Sequence, residues 1–135
     1  MPVEPYLYFD GRCDEAIEFY RRAVGAEVAA LVRFKDGGVP ASAGNENKVM
    51  HADLRIGGSA VLASDGQCRG QPNFQGFSLA LSVASDADAE RLFGALAGGG
   101  RVQIPLESTP FASRFGTVVD PFGVSWTVVS QQRGA

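Results

Sequence analysis

The chain has 135 residues, of which 45% are hydrophobic and 20% charged, with a net charge of -3. That is the size and make-up of one domain with a packed core, which excludes a disordered chain. The acidic balance lays down no basic footprint for nucleic acid, and no apolar run reaches the roughly 18 residues of a membrane helix, so neither nucleic acid nor membrane is expected as a partner.

The N-terminus "MPVEPYLYFDG" lacks a basic region followed by an apolar stretch, so no signal peptide is expected. Cys13 and Cys68 are too few and too far apart for a disulfide framework or a zinc knuckle. Reduced thiols and a cytoplasmic location follow as the expectation.

In chain order, "PYLYF" (Pro5 to Phe9) reads as a first strand. "CDEAIEFYRRAVG" then places Ala16, Phe19, Tyr20, Ala23 and Val24 on one helical stripe, turns Arg21 and Arg22 outward and stops at Gly25. Cys13 stands near the helix start, where a thiol can be activated, but no partner base is evident and it reads as passive. Three strand-like runs follow: Glu27 to Phe34, Val49 to Ile56 and Ser59 to Ser64, the last two joined by the tight turn Gly57-Gly58.

A polar, glycine-rich seam, Asp65 to Gly76, separates this set from a second one. Phe77 to Val83 alternates, with Phe77, Leu79, Leu81 and Val83 on one face and Ser78, Ala80 and Ser82 on the other. "SDADAERLFGALAGGG" repeats the helical stripe with Ala89, Leu92, Phe93, Leu96 and Ala97; Ser85 with Asp88 three residues on resembles a capping box. Strand-like runs at Arg101 to Leu106, Gly116 to Val119 and Val124 to Val129 close the set, with "DPFG" (Asp120 to Gly123) as the last turn. A shift of 73 residues carries Ala16 onto Ala89 and Gly25 onto Gly98.

The expected fold is therefore α+β: one domain over residues 1–135 built of two tandem βαβββ modules, residues 1–66 and 77–130, with the seam at 65–76. Each helix covers one sheet face. The modules would form a curved mixed sheet with helices outside and a trough inside, a natural ligand site.

His51 is the only histidine. In "KVMHADLRI", Met50, Ala52, Leu54 and Ile56 form one face and His51, Asp53 and Arg55 the other. Two readings stand for His51: a base or ligand-binding donor whose tautomer is set by Asp65 or Asp53, and a solvated strand histidine near a carboxylate. A metal there would have a thin shell of one imidazole and flanking carboxylates. "IPLESTPFASRFG" (Ile104 to Gly116) reads as a loop in which Arg114 could clamp an anion and Phe111 either lines a ligand site or tucks into the core, while Glu107 reads as surface. Trp126, Tyr6 and Tyr8 read as core.

The segments "YLYFDGRCDEAIEFY", "AVGAEV", "KVMHADLRIGG", "AVLASD" and "VVDPFGVSW", in this order over nearly the whole chain, resemble the PhnB-like branch of the vicinal oxygen chelate superfamily, which includes glyoxalase I, bleomycin-resistance proteins and extradiol dioxygenases. The resemblance implies paired βαβββ modules and a homodimer. Metal enzymes of the superfamily take His, Gln or Glu ligands from the trough side of the first and last strands of each module. Ungapped alignment of the repeats puts these positions at Pro5, Ala63, Ser78 and Thr127, none of which is such a ligand. No metal is therefore expected there, and a divalent cation elsewhere in the trough is the alternative. No glycine-rich nucleotide turn follows a strand, because "AGGGR" (Ala97 to Arg101) is a helix stop entering a strand, which argues against a methyltransferase.

Three functions are carried forward. The first is a metal-free binder of a small molecule, with Ser78, Ser82, Phe111, Arg114 and Thr127 as ligand-binding candidates. The second is a lyase, isomerase or dioxygenase with His51 and Asp65 as catalytic candidates. The third is a dimeric interaction protein with an empty trough.

Overall fold

A computed structural model describes residues 1–69 and 71–132 and gives eight strands and three helices. The chain divides into two compact units, Met1–Asn73 and Phe74–Ala135. Each is a βαβββ module with its own four-stranded mixed sheet.

In the first unit, β1 (Tyr6–Tyr8), β2 (Glu27–Arg33), β3 (Val49–Ile56) and β4 (Ser59–Ser64) pair in the order β1-β4-β3-β2. β1 runs parallel to β4, as a helical crossover requires, and the other pairs are antiparallel. Helix α1 (Cys13–Val24) covers one face of this sheet. Its buried residues are Cys13, Ala16, Ile17, Tyr20 and Ala23, so the stripe is turned toward Ile17 and leaves Phe19 and Val24 only partly covered. Against it lie Leu7, Phe9, Ala52, Leu54, Ile56, Val61 and Ala63, all buried. Gly25 ends α1 at φ +69, a left-handed cap that a side chain would strain. The expected run to Phe34 stops at Arg33, because Phe34–Gly37 forms the short helix α2.

In the second unit, β5 (Leu79–Val83), β6 (Arg101–Thr109), β7 (Ala112–Val119) and β8 (Ser125–Gln132) pair in the matching order β5-β8-β7-β6. Helix α3 (Asp86–Ala97) buries Ala89, Leu92, Phe93 and Leu96. Ser85 caps it as expected, its hydroxyl accepting from the Asp88 amide at 3.1 Å. The stretch expected to be a loop at Ile104 to Gly116 is a β-hairpin with its tip at Pro110 and Phe111. Three register shifts between β6 and β7 explain why period-two alternation was hidden there. At Gly116 a Cβ would come within 2.8 Å of the Leu106 backbone, so only glycine fits this close approach. Trp126 is buried, as expected, and its indole donates to Asp120 at 2.9 Å.

Among the described residues no helix is long and apolar enough to cross a membrane.

Candidate functional site

On β3, Ala52 and Leu54 are fully buried under α1, which turns His51, Asp53 and Arg55 to the opposite, open face. Direct pairing extends that face: Tyr6 lies opposite Leu62, Tyr8 opposite Ser64, and Leu62 opposite Asp53. Tyr6 and Tyr8 are therefore not core residues; they are 37% and 55% exposed, and their rings stack with centroids 5.0 Å apart. The Tyr6 hydroxyl and His51 Nδ1 are 2.8 Å apart in a hydrogen bond, and the two rings are tilted at 5.5 Å. Burial, then the neighbouring Tyr8 and Cys13, raises the Tyr6 phenol above its ordinary value. The bond through Nδ1 leaves Nε2 of His51 turned to other partners, and none is present among the described residues. Asp53 holds Arg55 through Oδ2 at 3.0 Å, while its Oδ1 is buried with no hydrogen-bond partner.

The expected His51–Asp65 pair does not form. Asp65 is fully buried at the end of β4, and both carboxylate oxygens are taken by backbone amides. Oδ1 accepts from Gly11 at 2.9 Å and Cys13 at 2.8 Å, and Oδ2 accepts from Val49 at 2.7 Å. The carboxylate satisfies the first turn of α1 from outside the helix and ties it to β3, a structural role. The same charge, after burial, holds the Cys13 thiol protonated by pushing its pKa well up, so Cys13 is passive as expected.

In the second unit Ser78 and Thr127 do come together, their hydroxyl oxygens 2.8 Å apart. The Ser125 hydroxyl donates to Ser78 at 3.3 Å, and Thr117 lies 3.5 Å from Thr127. Ser82 is exposed opposite Val129 on the same face, two residues from Ala80, which pairs with Thr127. Arg114 is not on this face. It pairs with Ser130 on the helix side and meets Asp86 and Glu90 of α3, each at 3.5 Å, so its charge is already neutralised and it is no anion clamp. Phe111 is half exposed at the hairpin tip and packs edge-on against Phe115 at 5.1 Å, rather than tucking into the core.

The ungapped alignment also misplaced two of the superfamily metal positions. Ala63 is fully buried under the helix, opposite Leu7, and Pro5 shares the parity of Leu7. The open-face residues of the paired first and last strands are instead Tyr6, Tyr8, Leu62 and Ser64 in the first unit, and Ser78, Ala80, Ser82, Thr127 and Val129 in the second. Aliphatic hydroxyls and methyl groups do not fit a zinc-type or iron-type first shell, and a phenol ligates iron only as its phenolate, a form that the raised pKa of Tyr6 disfavours. Among the described residues no three His, Cys, Asp or Glu side chains cluster to hold a metal ion.

Comparison with known proteins agrees with this architecture. The family model described as 3-demethylubiquinone-9 3-methyltransferase matches residues 2–129. Protein YjdN of Escherichia coli (strain K12) is 36% identical, over 98% of this chain and 98% of its own. Protein PA1353 from Pseudomonas aeruginosa, a crystal structure, is 42% identical with a TM-score of 0.87 and 98% coverage of each chain. A Bacillus cereus structure described as a putative 3-demethylubiquinone-9 3-methyltransferase, PhnB protein, is 27% identical with a TM-score of 0.81, covering 97% of this chain and all of that one. A glyoxylase/bleomycin resistance protein/dioxygenase domain from Frankia sp. EAN1pec, 18% identical with a TM-score of 0.67, covers 96% of this chain and 94% of its own and shares the fold.

Proposed function

The chain belongs to the 3-demethylubiquinone-9 3-methyltransferase (PhnB-like) family, with the glyoxalase-type fold, and from that premise we propose that it binds a planar, hydroxyl-bearing small molecule on the open face of its first unit. The carrying observation is the Tyr6–His51 hydrogen bond beside the Tyr6–Tyr8 stack. An exposed pair of rings offers apolar area at low entropic cost, and offset stacking adds about 1 kcal/mol per ring pair. His51 Nε2 supplies polar anchoring at the edge of that platform. The ring-hydroxylated quinone in the family's description belongs to this ligand class.

Methyl transfer itself gains no support from the local geometry. A nucleotide-type methyl donor calls for a glycine turn whose amides are open to the ligand. The glycine turn before α1 spends the Gly11 and Cys13 amides on Asp65. Assembly as a homodimer, in a reducing compartment that keeps both thiols free, belongs to this proposal on the strength of the family resemblance and of the two free cysteines.

Calorimetric titration tests the reading. 2-Naphthol should bind, and 2-methoxynaphthalene, with the same rings and no donor, should bind more weakly. Tyr8→Ala should weaken 2-naphthol by about tenfold through loss of stacking. Equal affinity for the two ligands, or no effect of Tyr8→Ala, would sink it. A second reading, an enzyme with His51 as base, draws on the same hydrogen bond, with Tyr6 rather than Asp65 fixing the tautomer.

A further inference from the structure

The first unit holds a cavity of about 340 Å³ that contains none of Tyr6, Tyr8 and His51. One wall is the connection between β2 and β3, which contributes Phe34, Val39, Pro40 and Asn45; the other is the turn after β4, which contributes Gln67 and Cys68. The volume lies in the range of small-molecule pockets, roughly 300–1,000 Å³. No ionisable side chain other than the thiol lines it.

Both walls are held in place without a ligand. The Phe34 amide donates to Lys48 O at 3.1 Å, the Lys35 amide to Glu46 O at 3.0 Å and the Asn45 amide to Ser42 O at 3.0 Å. Across the cavity, the Gly66 amide donates to the Ser64 hydroxyl at 2.9 Å and the Cys68 amide to Asp65 O at 3.1 Å. Asp10 then pins the Arg69 and Gln71 amides. Cys68 itself sits at φ +55, a backbone conformation that costs a non-glycine residue on the order of 1 kcal/mol, and the pinned turn holds it there. The seam that the sequence presents as polar is thus, over Asp65 to Arg69, a wall tied by hydrogen bonds.

We propose that this cavity is a second small-molecule site, selective for an uncharged ligand with an apolar body and an amide or hydroxyl head, and that the Cys68 thiol reports its occupancy. Phe34, Val39 and Pro40 take the apolar body, while the Asn45 and Gln67 carboxamides can donate to and accept from the head. An ionised ligand would lose hydration and meet no counter-charge in the lining, so charge is the discriminating property.

The test uses benzamide, benzoate and benzamidine, three ligands of one shape and different charge. The readout is the rate of Cys68 alkylation by iodoacetamide, followed by peptide mass spectrometry. Cys13, fully buried, is the internal control and should stay unmodified. Benzamide at about twice its dissociation constant should slow Cys68 alkylation on the order of threefold, by simple occupancy. Benzoate and benzamidine should leave the rate unchanged, and so should benzamide in the Val39→Asp variant, which places a charge at a half-exposed wall position and spares the core. If Cys68 fails to react in the free protein, amide chemical shifts of Val39, of residues 41–45 and of residues 66–68 serve instead. No benzamide effect at Cys68 or on those amides, or equal effects from all three ligands, overturns the proposal. His51→Ala separates this site from the open face: it should weaken 2-naphthol binding and leave benzamide protection intact.

Discussion

In the first unit the face away from the helix carries Tyr6 and Tyr8 of β1 and His51 and Asp53 of β3; in the second it carries Ser78 just before β5, Ser82 of β5, and Ser125 and Thr127 of β8. The strand order and the crossover are the same in both. In the second unit the hydroxyls of Ser78, Ser125, Thr127 and Thr117 satisfy one another. The first unit keeps a half-engaged imidazole and an unmet carboxylate oxygen. One topology therefore hosts two faces of different polarity, and the unpaired groups of the first are the ground for proposing it as the ligand face.

A second difference sits at the entry to each helix. Residues 9–12 separate β1 from α1, whereas only 84 and 85 separate β5 from α3. Each unit also buries an aspartate that secures a turn, at different places: Asp65 holds the entry to α1 through the amides of Gly11 and Cys13 and ties it to Val49, whereas Asp120 holds the turn between β7 and β8 through the amides of Phe122 and Val124 and the indole of Trp126. The largest predicted effect comes from the first. Asp65→Asn keeps the shape but turns a donor onto a buried amide, and should cost about 3 kcal/mol in urea denaturation. If Asp65 served catalysis instead, stability would be unchanged.

Asp120→Asn should cost somewhat less, about 2 kcal/mol, because the carboxamide oxygen still accepts from the two backbone amides and only the Trp126 indole loses its partner. Indole fluorescence during unfolding reads this loss, and an unaltered transition would contradict the assigned role of Asp120.

Alkali should separate the units next. Cys13 lies in the first unit and both cysteines precede the second. Its folded-state pKa is raised, so the folded chain holds that proton more tightly than the unfolded chain. The contribution is whole below the ordinary thiol value of about 8.5 and drains away as pH climbs toward the raised one. Hydrogen exchange should show the first unit opening before the second above that pH, and Cys13→Ala should remove the lead. Simultaneous opening in the wild type would argue against this placement of the thiol.

The smallest expected effects belong to the open faces themselves. Tyr6→Phe and Ser78→Ala each remove an exposed hydrogen bond, worth about 0.5 kcal/mol or less to the fold. Thermal melts that drop by much more would mean these side chains build the core rather than a surface.

The two modules, both main helices, the Ser85 cap, the Gly57-Gly58 turn and the face of His51 were legible in the sequence, because each is a local pattern of period or punctuation. What failed was parity between the repeats. An offset of 73 aligns the helices, but it carries Leu7, under α1, onto Ala80, on the open face. A one-residue slip in a strand exchanges its faces. That slip hid Tyr6 and Tyr8 as open-face rings and placed Pro5 and Ala63 where they do not point. The alternation in "YLYF", with Leu7 and Phe9 as the inward pair, was the available signal. Asp65 was misjudged for another reason: it lies past the end of β4, where strand parity no longer governs direction. Arg114 was drawn away by Asp86 and Glu90, carboxylates on a helix distant in sequence.

The most direct test of the proposed ligand face uses the chain's one histidine. Its imidazole resonances should be followed by NMR as 2-naphthol is added to wild type and to Tyr6→Phe. The open-face account predicts saturable shifts of the His51 ring in the wild type, altered in Tyr6→Phe because the partner on Nδ1 is gone. Saturable binding that leaves the His51 ring unmoved in both proteins would contradict it.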